Sequence, residues 1–140
     1  MGIKLRGEPT AVRGIRGALE VYGRLLDSGF EVYVPVMYIR HDCVIITKSS
    51  EHIDIEIKSR SPVSENTGKP HTMFLLRKDF KPRDDFFVIL HYVGTDESWI
   101  LPSKVAKQCL SKGGDRIIIG KVMKEKLRQY KNAYHLLDKN

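Results

Sequence analysis

Residues 53–58 read Ile53-Asp54-Ile55-Glu56-Ile57-Lys58. Strict alternation of this kind belongs to a β-strand. It puts three isoleucines on one face and Asp54, Glu56 and Lys58 on the other. The isoleucine face requires a core. The charged face requires water, a counter-ion or a cleft. The residues just before it, 43–48, form a second strand, and Ser49-Ser50-Glu51 is a turn. A connection this short makes the two strands antiparallel neighbours.

Further elements follow from local pattern. Residues 12–28 are a helix whose apolar stripe is Ile15, Ala18, Leu19, Tyr22, Leu25 and Leu26. Thr10 is placed to cap its start and Gly29 to end it. Residues 30–39 are rich in Val and Tyr and form a strand broken at Pro35. Pro62, Asn66, Gly68 and Pro70 make 61–70 a loop, and 72–76 a short strand. Residues 86–93 are almost wholly apolar, which predicts a central strand. A short strand at 98–101 precedes a helix from Pro102 to Leu110, ended by Gly113-Gly114. A strand at 116–119 leads to a last helix, 123–131, with Met123, Leu127 and Tyr130 as its apolar side. The expected architecture is α/β: one domain over residues 1–140, with a mixed central sheet flanked by helices.

Charge and cysteine content narrow the function classes. The 140 residues hold 24 Lys and Arg against 17 Asp and Glu, a net +7. From residue 102 onward ten basic side chains face three acidic ones, so this basic tail matches the whole excess. A polyanionic partner is favoured. Cys43 and Cys109 sit in apolar surroundings with no CxxC pattern, which excludes a zinc site and a disulfide framework. They predict a reducing, cytoplasmic setting. No apolar run approaches the roughly 18 residues that span a bilayer.

The chemistry centres on the charged strand face. Asp42 heads the strand that pairs with 53–59, so Asp42, Glu56 and Lys58 can converge. Two carboxylates side by side repel unless a cation lies between them. Oxygen donors completed by water suit Mg²⁺ or Mn²⁺. A lysine beside such a pair can orient an attacking water and offset charge on a phosphorane.

The order of these residues resembles the PD-(D/E)xK nuclease superfamily, and within it the archaeal Holliday junction resolvase-like single-domain endonucleases. The resemblance rests on Gly17-Ala18-Leu19-Glu20 in the opening helix, then Asp42, then Glu56-Ile57-Lys58. It covers residues 12–60. His41 stands where the family pattern has Pro. The resemblance implies a restriction-endonuclease-like core and Glu20, Asp42 and Glu56 as metal carboxylates. It further implies a ligand from the Ile57 carbonyl, and Lys58 as the catalytic lysine. The implied activity is Mg²⁺-dependent cleavage of DNA, double-stranded or branched, by direct attack of water. Around that site Arg13, Arg16, Arg24, Arg60, Lys69 and His71 are candidate contacts to nucleic acid. A homodimer suits cleavage of a two-stranded substrate.

Plainer readings stand beside these. Arg16 and Arg24 lie four residues either side of Glu20, the spacing of ordinary helical ion pairs. The lysines from 121 to 131 match a solvated helix face as well as a groove for a phosphate backbone. The alternative function is an inactive DNA-binding module, or a subunit of a repair or defence complex that keeps the nuclease fold.

Overall fold

A computed structural model describes residues 10–36, 42–62, 72–76, 80–111 and 114–138. Helix α1 (Thr10–Asp27) opens the described chain. Strands β1 (Glu31–Tyr33), β2 (Cys43–Ile46) and β3 (His52–Arg60) follow, then β4 (Thr72–Leu75), β5 (Phe86–Tyr92) and β6 (Ser98–Pro102). Helix α2 (Ser103–Gln108), strand β7 (Arg116–Ile119) and helix α3 (Lys121–Lys126) complete the order, with 3-10 turns at Arg128–Tyr130 and Tyr134–Leu137.

The main sheet has five strands in the order β1-β2-β3-β5-β6. β3 and β5 run parallel and every other pairing in it is antiparallel, so the sheet is mixed as expected. β4 and β7 pair separately as an antiparallel ribbon. All seven residues of β5 are buried, as befits a central strand with apolar side chains on both faces.

The alternation in β3 sorts the core into two layers. Ile53, Ile55 and Ile57 pack with Val21 and Leu25 of α1 on one face, together with Phe87 and Ile89. On the other face Val88, Leu90, Trp99 and Leu101 pack with Phe74, Ile117 and Ile119 of the ribbon, and with Ala106 and Leu127. Asp54, Glu56 and Lys58 belong to this second face by the two-residue period.

Several element boundaries differ from the sequence reading. β1 has three residues, because Pro35 lacks the N–H a ladder needs. The remainder of its expected span, 37–39, lies outside the described residues. Among the described residues α1 runs from Thr10, which is helical and not ahead of the helix. It ends as expected: Gly29 takes φ +91°, its N–H donates to Leu26 O (3.0 Å), and Phe30 N–H donates to Leu25 O (3.2 Å). These are the two bonds of a Schellman motif. α2 stops at Gln108 with Cys109 as its cap, ahead of the glycine pair. The last helix begins two residues early and tightens to a 3-10 turn after Lys126. Its apolar side is the expected one: Leu127 is buried, and Met123 and Tyr130 pack against it.

The apolar stripe of α1 is the larger correction. Val21 and Leu25 are fully buried, and Ala18 and Tyr22 pack against them. Ile15, Leu19 and Leu26 are exposed. The apolar arc is wider than the surface that the sheet offers, so only its half nearest β3 is covered.

Candidate active site

Asp42 lies one residue ahead of β2 and fastens itself to β3. Its N–H donates to Ile55 O at 3.0 Å. Its carboxylate Oδ2 accepts the N–H of Ile57 at 2.6 Å, the short distance of a charge-assisted bond. These two bonds bracket Glu56. From α1, the Tyr22 hydroxyl donates to Asp42 O at 3.3 Å. Burial pushes the Tyr22 phenol up to about 12, with Cys43 and the Asp42 charge adding to it. Burial pushes the neighbouring Cys43 thiol up to about 12 as well, again with Asp42 contributing.

Glu56 is a buried carboxylate, 9% exposed, in the middle of β3. Its company is Lys58, whose Nζ lies 3.4 Å from Glu56 Oε1. A carboxylate this deep needs such a counter-charge. Lys58 is itself about a third exposed and reaches solvent. Asp54, on the same face, is engaged elsewhere: Arg83 Nη2 sits 2.6 Å from its Oδ2.

Glu20 is placed differently from Asp42, Glu56 and Lys58. Its Oε1 lies 3.0 Å from His91 Nε2 and accepts the N–H of Gly94 at 2.8 Å. His91 is fully buried, and its Nδ1 lies 2.7 Å from Ser98 Oγ. In β5 the residues two and four positions before His91 are Ile89 and Phe87, both in the α1 layer. By strand alternation Glu20 and His91 are therefore on the opposite face of the sheet from Glu56 and Lys58. α1 reaches this depth because Gly17 abuts β3: a Cβ there would come within 2.4 Å of Ser59 Cβ.

The candidate nucleic-acid contacts scatter. Arg13 donates to Ser61 Oγ at 3.4 Å. Arg24 pairs with Asp96. Arg16 is half-buried and Arg60 is exposed. Lys69 and His71, like His41, lie outside the described residues.

Sequence reasoning did not assign the Glu20–His91–Ser98 chain. One signal was available. A histidine inside an otherwise apolar, buried strand must find polar partners.

The donors on the Glu56 face fit a hard cation. They are carboxylate oxygens, and Cys43 on β2 points to the other layer. Among the described residues no three His, Cys, Asp or Glu side chains group closely enough to hold a metal ion. An ion beside Asp42 and Glu56 would complete its shell with water and backbone oxygen, as Mg²⁺ commonly does.

No protein-family model matches the chain, and no curated protein matches its sequence. The fold does have a solved counterpart. The structure of a bacterial homing endonuclease, I-Ssp6803I, matches with a TM-score of 0.69 at 16% identity, covering 92% of this chain and 91% of that one. The chain therefore has an α/β fold, a mixed five-stranded sheet flanked by helices, shared with a nuclease. No helix among the described residues is long and apolar enough to cross a membrane.

Proposed function

We propose that this chain is a metal-dependent endodeoxyribonuclease of the PD-(D/E)xK type, acting on duplex or branched DNA. The observation that carries the reading is the trio of Asp42, at the head of β2, with Glu56 and Lys58 of β3. The Asp42 carboxylate is locked to the Ile57 N–H at 2.6 Å, beside a buried Glu56 whose counter-charge is Lys58 at 3.4 Å. A buried carboxylate paired with a partly exposed lysine costs stability, and function is a common reason to keep one. The fold match to a homing endonuclease supports DNA as the substrate.

In this reading Asp42, Glu56 and the Ile57 carbonyl would hold a divalent cation. Such a cation would polarise the phosphoryl oxygen and acidify a bound water. Lys58 has the steadier task. Tethered by Glu56, its ammonium donates to the attacking water, aligns it with phosphorus, and offsets the charge that gathers on the non-bridging oxygens. Water attacks phosphorus and releases a proton to solvent, the bridging P–O bond breaks, and the departing oxygen takes up a proton from solvent. Glu20, bound to His91 and Gly94, anchors α1 to the β5–β6 hairpin in this scheme.

The test is cleavage of supercoiled plasmid and a synthetic four-way junction, with Mg²⁺, Mn²⁺ or EDTA, by wild type and Glu56→Gln. Loss of one metal-site carboxylate should cut the rate by at least about a hundredfold, the scale of losing one stabilising group. EDTA should abolish cleavage by wild type. Cleavage in EDTA, or full activity of Glu56→Gln, refutes the reading. Binding without cleavage under every condition would favour the inactive DNA-binding module. The engaged state of Glu20 and the lack of a three-residue metal cluster among the described residues are the observations on its side.

A further inference from the structure

Helix α3, the 3-10 turn after it and the residue capping that turn carry Lys121, Lys124, Arg128 and Lys131, spaced three, four and three residues apart. That spacing aligns them along one side of a helical segment. With Trp99 and Glu125 they line a cavity of about 390 Å³. Two of the four have carboxylate partners. Arg128 lies 3.4 Å from Glu125, and Lys131 lies 3.2 Å from Glu97. Lys121 and Lys124 have none among the described residues. The Lys124 ammonium stands 5.9 Å from the Tyr92 ring centroid, a cation–π contact that leaves its charge uncompensated.

The floor of the cavity supplies a second observation. Trp99 is 1% exposed, and its indole N–H is buried with no acceptor among the described residues. A buried donor of this kind normally has a partner. Four cations thus line the cavity, two of them paired with Glu125 and Glu97, together with Trp99, whose buried N–H has no acceptor among the described residues.

Its position relates it to the charged face of β3. Lys58 pairs in register with Leu90, and Leu90 with Trp99. Paired residues share a face of the sheet, so Trp99 and Lys58 stand in one row, two strands apart. That separation is about 10 Å between backbones. The cation row runs on from Trp99 for roughly 15 Å along the helical segment. An extended line of exposed cations suits a polymer of phosphates better than a single small anion.

We propose that this cavity is a second contact for the DNA backbone, binding a phosphate at least about three nucleotides from the scissile bond at a rise of ~3.4 Å per nucleotide. The β4–β7 ribbon and α2 cover the sheet between Lys58 and Trp99, so the DNA backbone reaches the cavity around this layer and not across it. This inference rests on the endonuclease reading, because it takes DNA as the ligand.

The test compares wild type with Lys121→Gln/Lys124→Gln by fluorescence anisotropy of a labelled short duplex, over a series of KCl concentrations, without divalent metal. Each lost phosphate contact removes about 0.9 from the slope of log K against log salt. The double variant should therefore show a slope shallower by about two, and an affinity about tenfold lower at low salt. Both side chains are exposed, so its melting temperature should match wild type. Lys121→Arg/Lys124→Arg should restore the slope. An unchanged slope and affinity in the glutamine variant, with wild type still binding and cutting, overturns this inference alone. Wild type that neither binds nor cuts overturns the endonuclease reading and this inference with it.

Discussion

Asp42 and Cys43 are adjacent in the chain and opposite in character. The Asp42 carboxylate extends the bonding of β3 beyond β2, and the Cys43 thiol enters the α1 layer. Their closeness has a consequence at high pH. Burial and the Asp42 charge raise the Cys43 thiol from 9.0 to about 12, and burial raises the Tyr22 phenol from 10.0 to about 12. Both are acids whose neutral form the fold favours. Above about pH 9 the unfolded chain loses protons that the folded chain keeps, so stability falls as pH rises toward 12 and is fully present below 9. We expect a loss on the order of 1–2 kcal/mol between about pH 8 and pH 10.5, most of it from Cys43. The half-exposed Tyr22 contributes less, because solvent screens it. Urea unfolding at the two pH values measures this, and Cys43→Ala should flatten the difference. A wild-type midpoint that stays level would show that the thiol is not desolvated.

At the scale of elements, the contact between α1 and β3 decides most. Gly17 permits it. An alanine Cβ at this position would lie 2.0 Å from Ser59 Oγ and 2.4 Å from Ser59 Cβ. The hydroxyl can rotate away, but the Ser59 Cβ is fixed to the β3 backbone. Overpacking of this kind costs about 1–3 kcal/mol, more than the ~1 kcal/mol of helix propensity that alanine gains over glycine. Gly17→Ala should therefore lower the melting temperature. Gly23→Ala should raise it, since nothing lies within 4 Å of a Cβ there. Equal effects at the two sites would mean that α1 does not sit this close to β3. The sequence reading recognised Gly17 by its place before Glu20. It did not reveal the contact with Ser59, because that contact depends on how a helix and a strand dock.

For the whole molecule, the substrate's symmetry bears on assembly. A duplex presents two strands related by two-fold symmetry, and an enzyme that cuts both is well served by a two-fold pair. We expect a homodimer, with twice the chain mass of 16.1 kDa by light scattering. A monomer at every concentration, with plasmid cleavage confined to nicking, would refute this.

What depends on neighbours along the chain is legible in the residues alone. Two-residue alternation defined β3 and its charged face, and continuous apolar character predicted the central place of β5. Gly29 marked the end of α1. The short turn makes β2 and β3 antiparallel, and that alone puts Asp42 beside Glu56. The tertiary structure decided what depends on docking. It set which half of the α1 apolar arc is covered, and it turned Glu20 toward His91, 71 residues away. It also set the Lys121–Lys131 row beside Trp99. The physical reason is range. Backbone geometry repeats every two or 3.6 residues and is written locally. The partner of a buried carboxylate or a row of lysines is whatever the packing of distant segments brings there.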